Sequence, residues 1–464
     1  MNGGIVLKAV DMEQLLVDLK ELLGKERVSQ NDTVLEQHSH DESYHEPVLP
    51  DVVVFPKTTE EVSQIMKLAT KYQTPVVPFG MGSSLEGHVI PSKGGISIDF
   101  TLMNEILEIR EKDLLVKVQP GVTRKQLNRA LKPYGLFFPV DPGADATLGG
   151  MAATGASGTT TVKYGTMRDQ VRDLEVVLAD GSVIHTGSSA AKSSSGYNLN
   201  GLFVGSEGTL GCFTELTLKV YGIPEYIVAA QAVFARVEDA VNAVMDVTQA
   251  GIPVARVEFV DELTIREINR YKGTDYAEMP TLFFEFHGNK SGLEEDIQLT
   301  KEIVNDHYCQ DFIYESDQSK RNQLWEARHH VAYAFIHNYR GRKFMVTDVC
   351  LPISELAGAI RHAREALLTS GLPGGIVGHV GDGNYHINLM IDFDDPEEIE
   401  RANQLNDQIV EYAIAREGTC TGEHGVGIGK KKFQSLEHGA AIEVMKKLKE
   451  TLDPNGILNP GKIF

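Results

Sequence analysis

Two histidines and an asparagine flank an Asp-Gly pair in one short segment of the chain. Asp-Gly favours a type I′ hairpin turn, and a turn centred on Asp382-Gly383 predicts that His379 lies directly opposite His386. Directly opposed residues share a face of a sheet, and Asn388, two positions after His386, points to the same face. The segment therefore predicts two imidazoles side by side, which is half of a metal site.

A second segment, Thr421 to Gly427, places Glu423 beside His424 in a glycine-rich loop. Two histidines and one carboxylate can hold a divalent cation while leaving coordination positions open for a substrate. Each histidine alone is better explained as a hydrogen-bonded core residue. Their predicted pairing across a hairpin, with an acid supplied from elsewhere, favours a metal site formed by His379, His386 and Glu423.

The composition indicates a protein that acts on small molecules. A formal charge of −21 over 464 residues disfavours nucleic acid and anionic membrane surfaces as partners. The four cysteines are far apart and form no CxxC pair, which is typical of reduced thiols. No apolar run reaches the roughly 18 residues of a membrane-spanning helix, and the N-terminus shows no export signal. We therefore expect a cytoplasmic protein with no membrane span.

The first half of the chain reads as an α+β unit. An amphipathic helix is predicted over residues 11–24, and a βαβ-like step follows after residue 50. In that step the strand at 52–55 leads into a helix at 59–72, and further strands follow at 75–79 and 96–99.

A second pattern starts near residue 226, where short strands and helices alternate. It includes one long helix at 319–338, one strand at 343–351 and the histidine hairpin, and it predicts a smaller sheet covered by helices. We predict four parts: an N-terminal helical segment (1–46), a first domain (47–225), a second domain (226–420) and a returning C-terminal segment (421–464).

Three segments rich in glycine and other small residues could hold a flat ligand that carries phosphates. Pro78 to His88 follows a predicted strand, as a phosphate loop would, but Leu85 stands where the Rossmann fingerprint needs its third glycine. Residues 147–161 are almost wholly small, and Gly205 to Gly211 repeats the pattern, so backbone can approach a ligand closely. The alternatives are ordinary strand-connecting loops and tight packing between sheets.

Six segments carry a family resemblance: Pro78 to His88, Leu148 to Gly165, Gly201 to Gly211, Gly378 to Asn388, Gly422 to Gly427 and Asn459 to Lys462. In this order they resemble flavoproteins of the vanillyl-alcohol oxidase/p-cresol methylhydroxylase superfamily. The chain is most similar to the branch of cytochrome-type D-lactate dehydrogenase, the glycolate oxidase flavoprotein subunit and D-2-hydroxyglutarate dehydrogenase. The resemblance implies a PCMH-type FAD-binding domain of two subdomains and an α+β C-terminal substrate (cap) domain with an antiparallel sheet.

The resemblance also implies non-covalent FAD, with its pyrophosphate over residues 80–84 and its ring against residues 150–158. Some members of the superfamily attach flavin to a histidine, and His88 could be such an anchor, but a polar contact is the preferred reading. The expected FAD residues are Pro78, Gly80, Met81, Gly82, Ser83, Ser84, His88, Pro142, Thr147, Gly150, Thr154, Gly155, Ser157, Gly158, Tyr164, Glu207, Gly208 and Asn459.

The activity implied is oxidation of a small D-2-hydroxy acid to the 2-keto acid, with Zn or Mn at His379, His386 and Glu423. Hydride passes from C2 to flavin N5, and electrons pass to a quinone, a cytochrome or an electron-transfer flavoprotein rather than to NAD. His424 is the expected general base, because its ordinary pKa lies near the working pH, although it could equally be a fourth ligand. A homodimer is possible.

Binding of the substrate carboxylate needs cationic donors, and Arg328 and Lys343 match basic positions of the family. Asn388 is expected to touch the substrate or the metal shell. Relatives that act on hydroxyglutarate carry a hydroxyl one helical turn after this arginine, where this chain has Ala332, so that substrate is disfavoured.

Three other functions are held open. A non-haem iron oxygenase could use the same two histidines and one carboxylate. A glycolate oxidase flavoprotein subunit would need partner chains for activity. An alkylglycerone-phosphate synthase-like enzyme would share the flavin fold but form an ether bond.

Overall fold

The computed structural model describes residues 9–464. It forms two compact units, one of residues 9–157, 166–222 and 424–464, and one of residues 158–165 and 223–423. Helices and strands are numbered along the chain.

The helices are α1 Ala9–Leu23, α2 Asp32–Gln37, α3 Thr59–Tyr72, α4 Arg124–Leu131, α5 Leu148–Thr154, α6 Thr161–Tyr164, α7 Met167–Gln170, α8 Leu199–Phe203, α9 Val237–Gln249, α10 Glu262–Lys272, α11 Lys290–Asp306, α12 Gln318–His329, α13 Val331–Asn338, α14 Leu356–Ser370, α15 Pro396–Ile414, α16 Gln434–His438 and α17 Ala441–Leu452.

The strands are β1 Val28–Ser29, β2 Val52–Val54, β3 Val76–Phe79, β4 Ile96–Asp99, β5 Ile106–Arg110, β6 Leu115–Val118, β7 Leu136–Phe137, β8 Val171–Val177, β9 Val183–His185, β10 Cys212–Lys219, β11 Tyr221–Gly222, β12 Tyr226–Val233, β13 Val254–Val260, β14 Thr281–Gly288, β15 Asp311–Glu315, β16 Lys343–Val346, β17 Val349–Cys350, β18 Gly374–His379 and β19 Asn384–Ile391.

The first unit contains a four-stranded sheet in the order β1-β2-β4-β3 and a five-stranded sheet in the order β5-β6-β10-β8-β9. In the first sheet β4 pairs in parallel with both β2 and β3, so β2, α3 and β3 form the predicted βαβ step. Helix α3 starts where Thr58 accepts a hydrogen bond from the Glu61 amide, and it buries one apolar side that includes Ile65 and Met66. The glycine-rich loop that begins at Gly80 follows directly after β3.

The second unit is built on an eight-stranded sheet in the order β15-β12-β14-β13-β18-β19-β16, with β17 also paired to β19. All of its strand pairs are antiparallel. An apolar cluster that includes Phe283, Trp325, Phe335 and Val377 packs helices α12 and α13 against this sheet. His379 is two residues after Val377 on β18 and points from the same face.

The fold class predicted from the sequence is confirmed: an α+β chain with antiparallel sheets. The helix expected at 59–72 has the expected bounds. The long helix expected at 319–338 is two helices, because the backbone turns at His330 (φ −96°, ψ 6°). The Nδ1 atom of His330 contacts the Glu326 carbonyl at 2.8 Å, a side-chain bond that competes with the helix ladder.

The strand expected at 343–351 is interrupted after Val346. At the interruption the Ile387 amide donates to the Thr347 hydroxyl at 2.9 Å, so a side chain replaces a carbonyl in the ladder. The Thr347 carbonyl is thereby free to face the ring of His386 at 3.1 Å.

The expected register of the histidine hairpin is wrong by two residues. His379 lies opposite Asn384, and His386 lies opposite Val377, so the loop has four residues and is not a type I′ turn. Gly383 has positive φ (79°) and its carbonyl accepts the Leu351 amide at 3.0 Å. A side chain at Gly383 would collide with the Leu351 carbonyl oxygen. Packing against the segment at Leu351 therefore determines the conformation of this loop. A shift of two keeps both histidines on one face, because side chains alternate with a period of two.

Candidate active site

Two imidazoles and a carboxylate converge on the polar part of this sheet face. The Nε2 atoms of His379 and His386 lie 3.2 Å and 3.3 Å from Oε1 of Glu423. The two rings are nearly perpendicular, with centroids 5.5 Å apart. The three ligand atoms all lie within 4.8 Å of one another, which is compact enough for one cation. We call His379, His386 and Glu423 the triad.

The outer nitrogen of each triad histidine already has an acceptor. His379 Nδ1 lies 2.6 Å from Oε1 of Glu258, and His386 Nδ1 lies 3.1 Å from the Thr347 carbonyl oxygen. Both partners are acceptors, so each Nδ1 carries a proton and donates. In the neutral rings both Nε2 lone pairs then face Glu423, itself an acceptor. Such a set needs a positive charge at its centre, and a divalent cation fits it.

The glycine-rich loop that carries Glu423 is held by Asp348, which is fully buried. Oδ2 of Asp348 accepts from the Glu423 amide at 2.9 Å and from the Thr421 hydroxyl at 2.7 Å. Its Oδ1 accepts from the Asn384 side-chain amide at 2.8 Å. Gly422 lies so close to that amide that a Cβ there would clash with it. The loop can therefore place Glu423 only because residue 422 has no side chain.

In the triad, the charges of neighbouring groups shift the pKa values of His379 and Glu423 in the direction opposite to that caused by burial. Burial alone lowers the pKa of His379, but Glu258 and Glu423 raise it well above the ordinary value. Burial alone raises the pKa of Glu423, but His379 and His386 lower it well below the ordinary value. The site is thus built to keep a negative carboxylate beside a positive charge. A cation bound there replaces protons, so its binding should release them.

Of the other expected catalytic residues in this unit, Asn388 lies on the triad face of the sheet, Arg328 contacts Glu258, and Lys343 lies on the opposite face. Asn388 is buried and lies on the His386 face of β19, two residues along. Arg328, near the end of α12, donates from Nε to Oε2 of Glu258 at 2.8 Å. Lys343 pairs with Ile391, which puts it on the opposite sheet face from His386, and its ammonium lies over the Phe393 ring at 5.3 Å. The structure therefore does not bring Lys343 to the triad.

His424 follows Glu423 directly in the chain. It is the first residue of the segment 424–464, which belongs to the first unit.

Within the first unit the three glycine-rich segments pack against one another. The tract at 147–161 is not all loop, because Thr147 caps the short helix α5 by accepting from the Gly150 amide at 3.4 Å. A side chain at Gly80 would clash with the Thr147 hydroxyl, and one at Gly208 would clash with Pro78. The Glu207 amide donates to the Ala153 carbonyl at 2.8 Å. Together the segments form a cradle that only small residues can line.

A buried polar cluster holds the C-terminal segment to this cradle. Glu207 accepts from the amides of Val426 and Gly427 at 2.7 Å and 2.9 Å. Asn459 donates to the carbonyls of Glu207 and His88 at 2.7 Å and 3.0 Å. His88 is buried, and its Nδ1 has no hydrogen-bond partner in the described chain. An orphaned donor or acceptor beside a glycine cradle fits a bound polar cofactor such as FAD.

The other expected FAD residues are placed as follows: Met81, Gly82, Ser83 and Ser84 in the loop after β3, Pro142 in the loop before α5, Thr154 at the end of α5, and Gly155 and Ser157 just after it. Met81 is about half exposed, and the Ser84 hydroxyl donates to Asp41 at 2.8 Å. Gly158 and Tyr164 belong to the second unit. There the Tyr164 hydroxyl lies 2.9 Å from Nδ1 of His287, whose Nε2 lies 2.7 Å from Glu285.

Sequence reasoning missed Glu258, Thr347 and Asp348. Each holds a triad residue from another strand or from a break between strands. A signal was present, because Glu258 is an acid inside the otherwise apolar end of β13, and Asp348 interrupts an apolar strand. Without the fold, neither position could be joined to the histidines.

Comparisons with known proteins cover most of the chain. The FAD binding domain family matches residues 50–187, and the FAD linked oxidases, C-terminal domain family matches residues 223–463. A probable mitochondrial D-lactate dehydrogenase of Danio rerio is 46% identical, over 98% of this chain and 93% of that protein. A mitochondrial D-lactate dehydrogenase [cytochrome] of Arabidopsis thaliana is 43% identical, over 95% of this chain and 80% of that protein. Glycolate oxidase subunit GlcD of Bacillus subtilis (strain 168) is 35% identical, over 96% of this chain and 97% of that protein.

Solved structures share the fold at low sequence identity. A p-cresol methylhydroxylase with substrate bound superposes with a TM-score of 0.82 at 18% identity, covering 99% of this chain and 98% of that one. An alkyldihydroxyacetonephosphate synthase superposes with a TM-score of 0.76 at 20% identity, covering 96% of this chain and 85% of that one. In residues 9–464 no helix is long and apolar enough to cross a membrane.

Proposed function

The chain belongs to the FAD-linked oxidase family as a D-lactate dehydrogenase-type oxidoreductase, and from that premise we propose that it oxidises a small D-2-hydroxy acid, such as D-lactate, with the help of a divalent cation. The product is the 2-keto acid. FAD supplies the two-electron acceptor for the hydride from C2, and the electrons leave to an acceptor other than NAD. The mitochondrial relatives of Arabidopsis and yeast carry "cytochrome" in their names, which supports such an acceptor.

The observation that carries the metal part of the proposal is the triad. His379 and His386 turn their Nε2 atoms to one oxygen of Glu423, while Glu258 and Thr347 bind the opposite nitrogens. When both rings are neutral, three acceptor atoms converge on one point, and this arrangement favours a bound cation. A Zn or Mn ion held by His379, His386 and Glu423 would supply Lewis-acid chemistry, which would make the hydroxyl of an α-hydroxy carboxylate more acidic.

Proton removal falls to His424 in this proposal. His424 follows Glu423 directly in the chain, so one short segment supplies both the proposed ligand and the proposed base. A neutral imidazole can accept a hydroxyl proton near pH 7, and a cation bound nearby would favour the neutral form. Asn388, on the triad face of β19, is assigned to hydrogen-bond the substrate.

We assign FAD to the glycine cradle of the first unit. Gly80, Gly150 and Gly208 allow close approach of backbone, and Thr147 and His88 offer polar atoms beside them. His88 is assigned a non-covalent contact. The remaining expected FAD residues stay predictions of the same assignment.

The test is anaerobic reduction of the bound flavin, followed as loss of its visible absorbance. D-lactate should bleach the flavin, and L-lactate should do so much more slowly. Prior dialysis against a chelator should stop bleaching, and added Mn²⁺ or Zn²⁺ should restore it. Full-speed bleaching by the metal-free protein would overturn the cation, whereas a colourless protein after reconstitution with FAD would overturn the whole proposal.

A second candidate is a flavoprotein subunit of a glycolate oxidase, because the Bacillus subtilis GlcD subunit is similar along almost the whole chain. Such a subunit would act on glycolate and depend on partner chains. Turnover of D-lactate with an artificial dye by the isolated chain, at a kcat/KM well above that for glycolate, supports the first candidate. The reverse preference supports the second.

A further inference from the structure

An ion pair links two of the three segments that form the glycine cradle of the first unit. Nε2 of His88, at the end of the loop after β3, lies 3.4 Å from Oε1 of Glu207, and the two side chains are only 5% and 2% exposed. The Glu207 amide reaches the third segment, because it donates to the Ala153 carbonyl at 2.8 Å. The pair is therefore buried inside the cradle that we assign to FAD.

The surroundings of the pair favour its charged form. Burial raises the pKa of Glu207, but His88 and the amides of Val426 and Gly427 lower it below its ordinary value. Burial lowers the pKa of His88, but Glu207 raises it above its ordinary value. Two amides and an imidazolium are the donors that an ionised buried carboxylate needs.

The backbone at Glu207 is in an uncommon conformation. Its φ is 54°, in the left-handed region, which a residue with a side chain keeps only where the surrounding structure fixes it. Gly425 leaves room for the pair, because a Cβ there would lie 2.6 Å from Nε2 of His88 and 2.8 Å from Oε1 of Glu207. A strained residue and a missing side chain thus both place this carboxylate against His88.

The other ring nitrogen of His88 contacts no protein group. Nδ1 is buried and has no hydrogen-bond partner in residues 9–464. In an imidazolium this nitrogen carries a proton, so it is a charged donor that lies inside the cradle without an acceptor. A buried donor of this kind requires an acceptor from a ligand.

The charges around the pair indicate which part of FAD this donor faces. The buried ionisable groups that act on one another here are three cations and three carboxylates: His88, Lys430, Lys462, Asp41, Glu86 and Glu207. A pyrophosphate needs an excess of positive charge, which this balanced set does not offer. A flavin ring that gains a single negative charge on reduction needs only one charged donor.

We propose that His88 is a charged donor to the flavin ring that stabilises its reduced form, and that Glu207 is the positioning residue that holds His88 there. Hydride transfer brings two electrons and one proton into the ring, so the ring gains one negative charge, and a positive charge beside it favours reduction. The proposal rests on the FAD assignment of the proposed function and is independent of the cation site.

The experiment measures the two-electron midpoint potential of the bound flavin at pH 7, by titration against a redox dye of known potential, and the Kd for FAD. The variants are His88→Asn, which keeps an N–H donor without the charge, Glu207→Gln and the double variant. His185→Asn is the matched control, because His185 lies 2.8 Å from Asp173 in an exposed pair of the same unit. Circular dichroism melting identifies any variant that fails to fold.

His88→Asn should shift the balance between oxidised and reduced flavin about tenfold against the reduced form, which is a potential lower by about 30 mV. Glu207 then stays negative beside the ring. Glu207→Gln should lower the potential less, because burial deprotonates His88 once its carboxylate partner is gone and neither charge remains. The double variant should therefore match Glu207→Gln, and His185→Asn should leave the potential unchanged.

An unchanged potential in His88→Asn overturns the proposal, and weaker FAD binding at an unchanged potential overturns it in favour of a contact with the FAD phosphates. If His88→Asn fails to fold, Glu207→Gln decides, and an unchanged potential in that variant overturns the proposal. Unmodified protein that takes up no FAD loses the assignment of the cradle itself, so the two failures are distinguishable.

Discussion

Oε1 of Glu258 lies 2.6 Å from Nδ1 of His379, on a strand that is separated from the histidine by more than a hundred residues of chain. This contact determines which nitrogen of the histidine faces Glu423, because Glu258 can only accept a hydrogen bond when ionised. The triad is therefore a product of the packing of β13 against β18, and its chemistry depends on residues that do not belong to it.

Replacing one ligand should separate metal binding from flavin binding. His386→Ala should lose the bound cation and slow flavin reduction by D-lactate at least about 100-fold, because a Lewis acid contributes several kcal/mol. The flavin content should stay the same, since the FAD cradle lies in the first unit. Metal analysis and visible absorbance of the purified protein measure both. His337→Ala, a change at an exposed helix position, is the control.

The base assignment predicts a different phenotype. His424→Ala should keep flavin and metal but lower the rate of flavin reduction by about 10² to 10⁴, the usual contribution of general base catalysis. Stopped-flow measurement of flavin reduction by D-lactate gives this rate. His438→Ala serves as the control, and an unchanged rate in His424→Ala would assign the base to another group.

The close approach of Gly422 to Asn384 predicts a steric effect on the metal site. Gly422→Ala adds a methyl group that must displace the amide bound to Asp348, which loosens the loop that carries Glu423. We expect a lower melting temperature and a Kd for Mn²⁺ raised at least several-fold. Gly222→Ala, where a Cβ meets nothing within 4 Å, should change neither. Wild-type metal affinity in Gly422→Ala would show that the loop adapts.

A buried acid predicts the pH dependence of stability in the second unit. Burial raises the pKa of Asp261, which caps α10 by accepting from the Thr264 amide, to about 7. Between pH 4 and 7 the unfolded chain loses this proton while the folded protein keeps it, so the carboxyl lowers stability as pH rises, and the loss levels off above 7.

Asp261→Asn keeps the capping oxygen and removes this titration. At pH 8 the variant should be more stable than the unmodified protein by up to about 4 kcal/mol, because the pKa of Asp261 lies about three above its ordinary value and each tenfold change in proton affinity corresponds to about 1.36 kcal/mol. The gain should shrink towards pH 4. Urea unfolding of both proteins between pH 4 and pH 8 measures this difference in the free energy of unfolding. A difference that does not change with pH would contradict the prediction.

The sequence alone was enough for the family, the α+β class and the identity of the triad. The reason is local: an Asp-Gly pair between two strand-like runs implies a hairpin, and a period of two keeps His379 and His386 on one face even though the register differs by two residues. Small residues at Gly80, Gly150 and Gly208 likewise mark close backbone approach without any structure.

Only the tertiary structure decided how the triad is held. Glu258, Thr347 and Asp348 come from other strands or from a strand break, and their contacts with the triad depend on strand order and register, which no local pattern encodes. It also decided that Arg328 faces an internal acid and that Lys343 lies on the far side of the sheet, because the direction of a long side chain follows from what packs against its element.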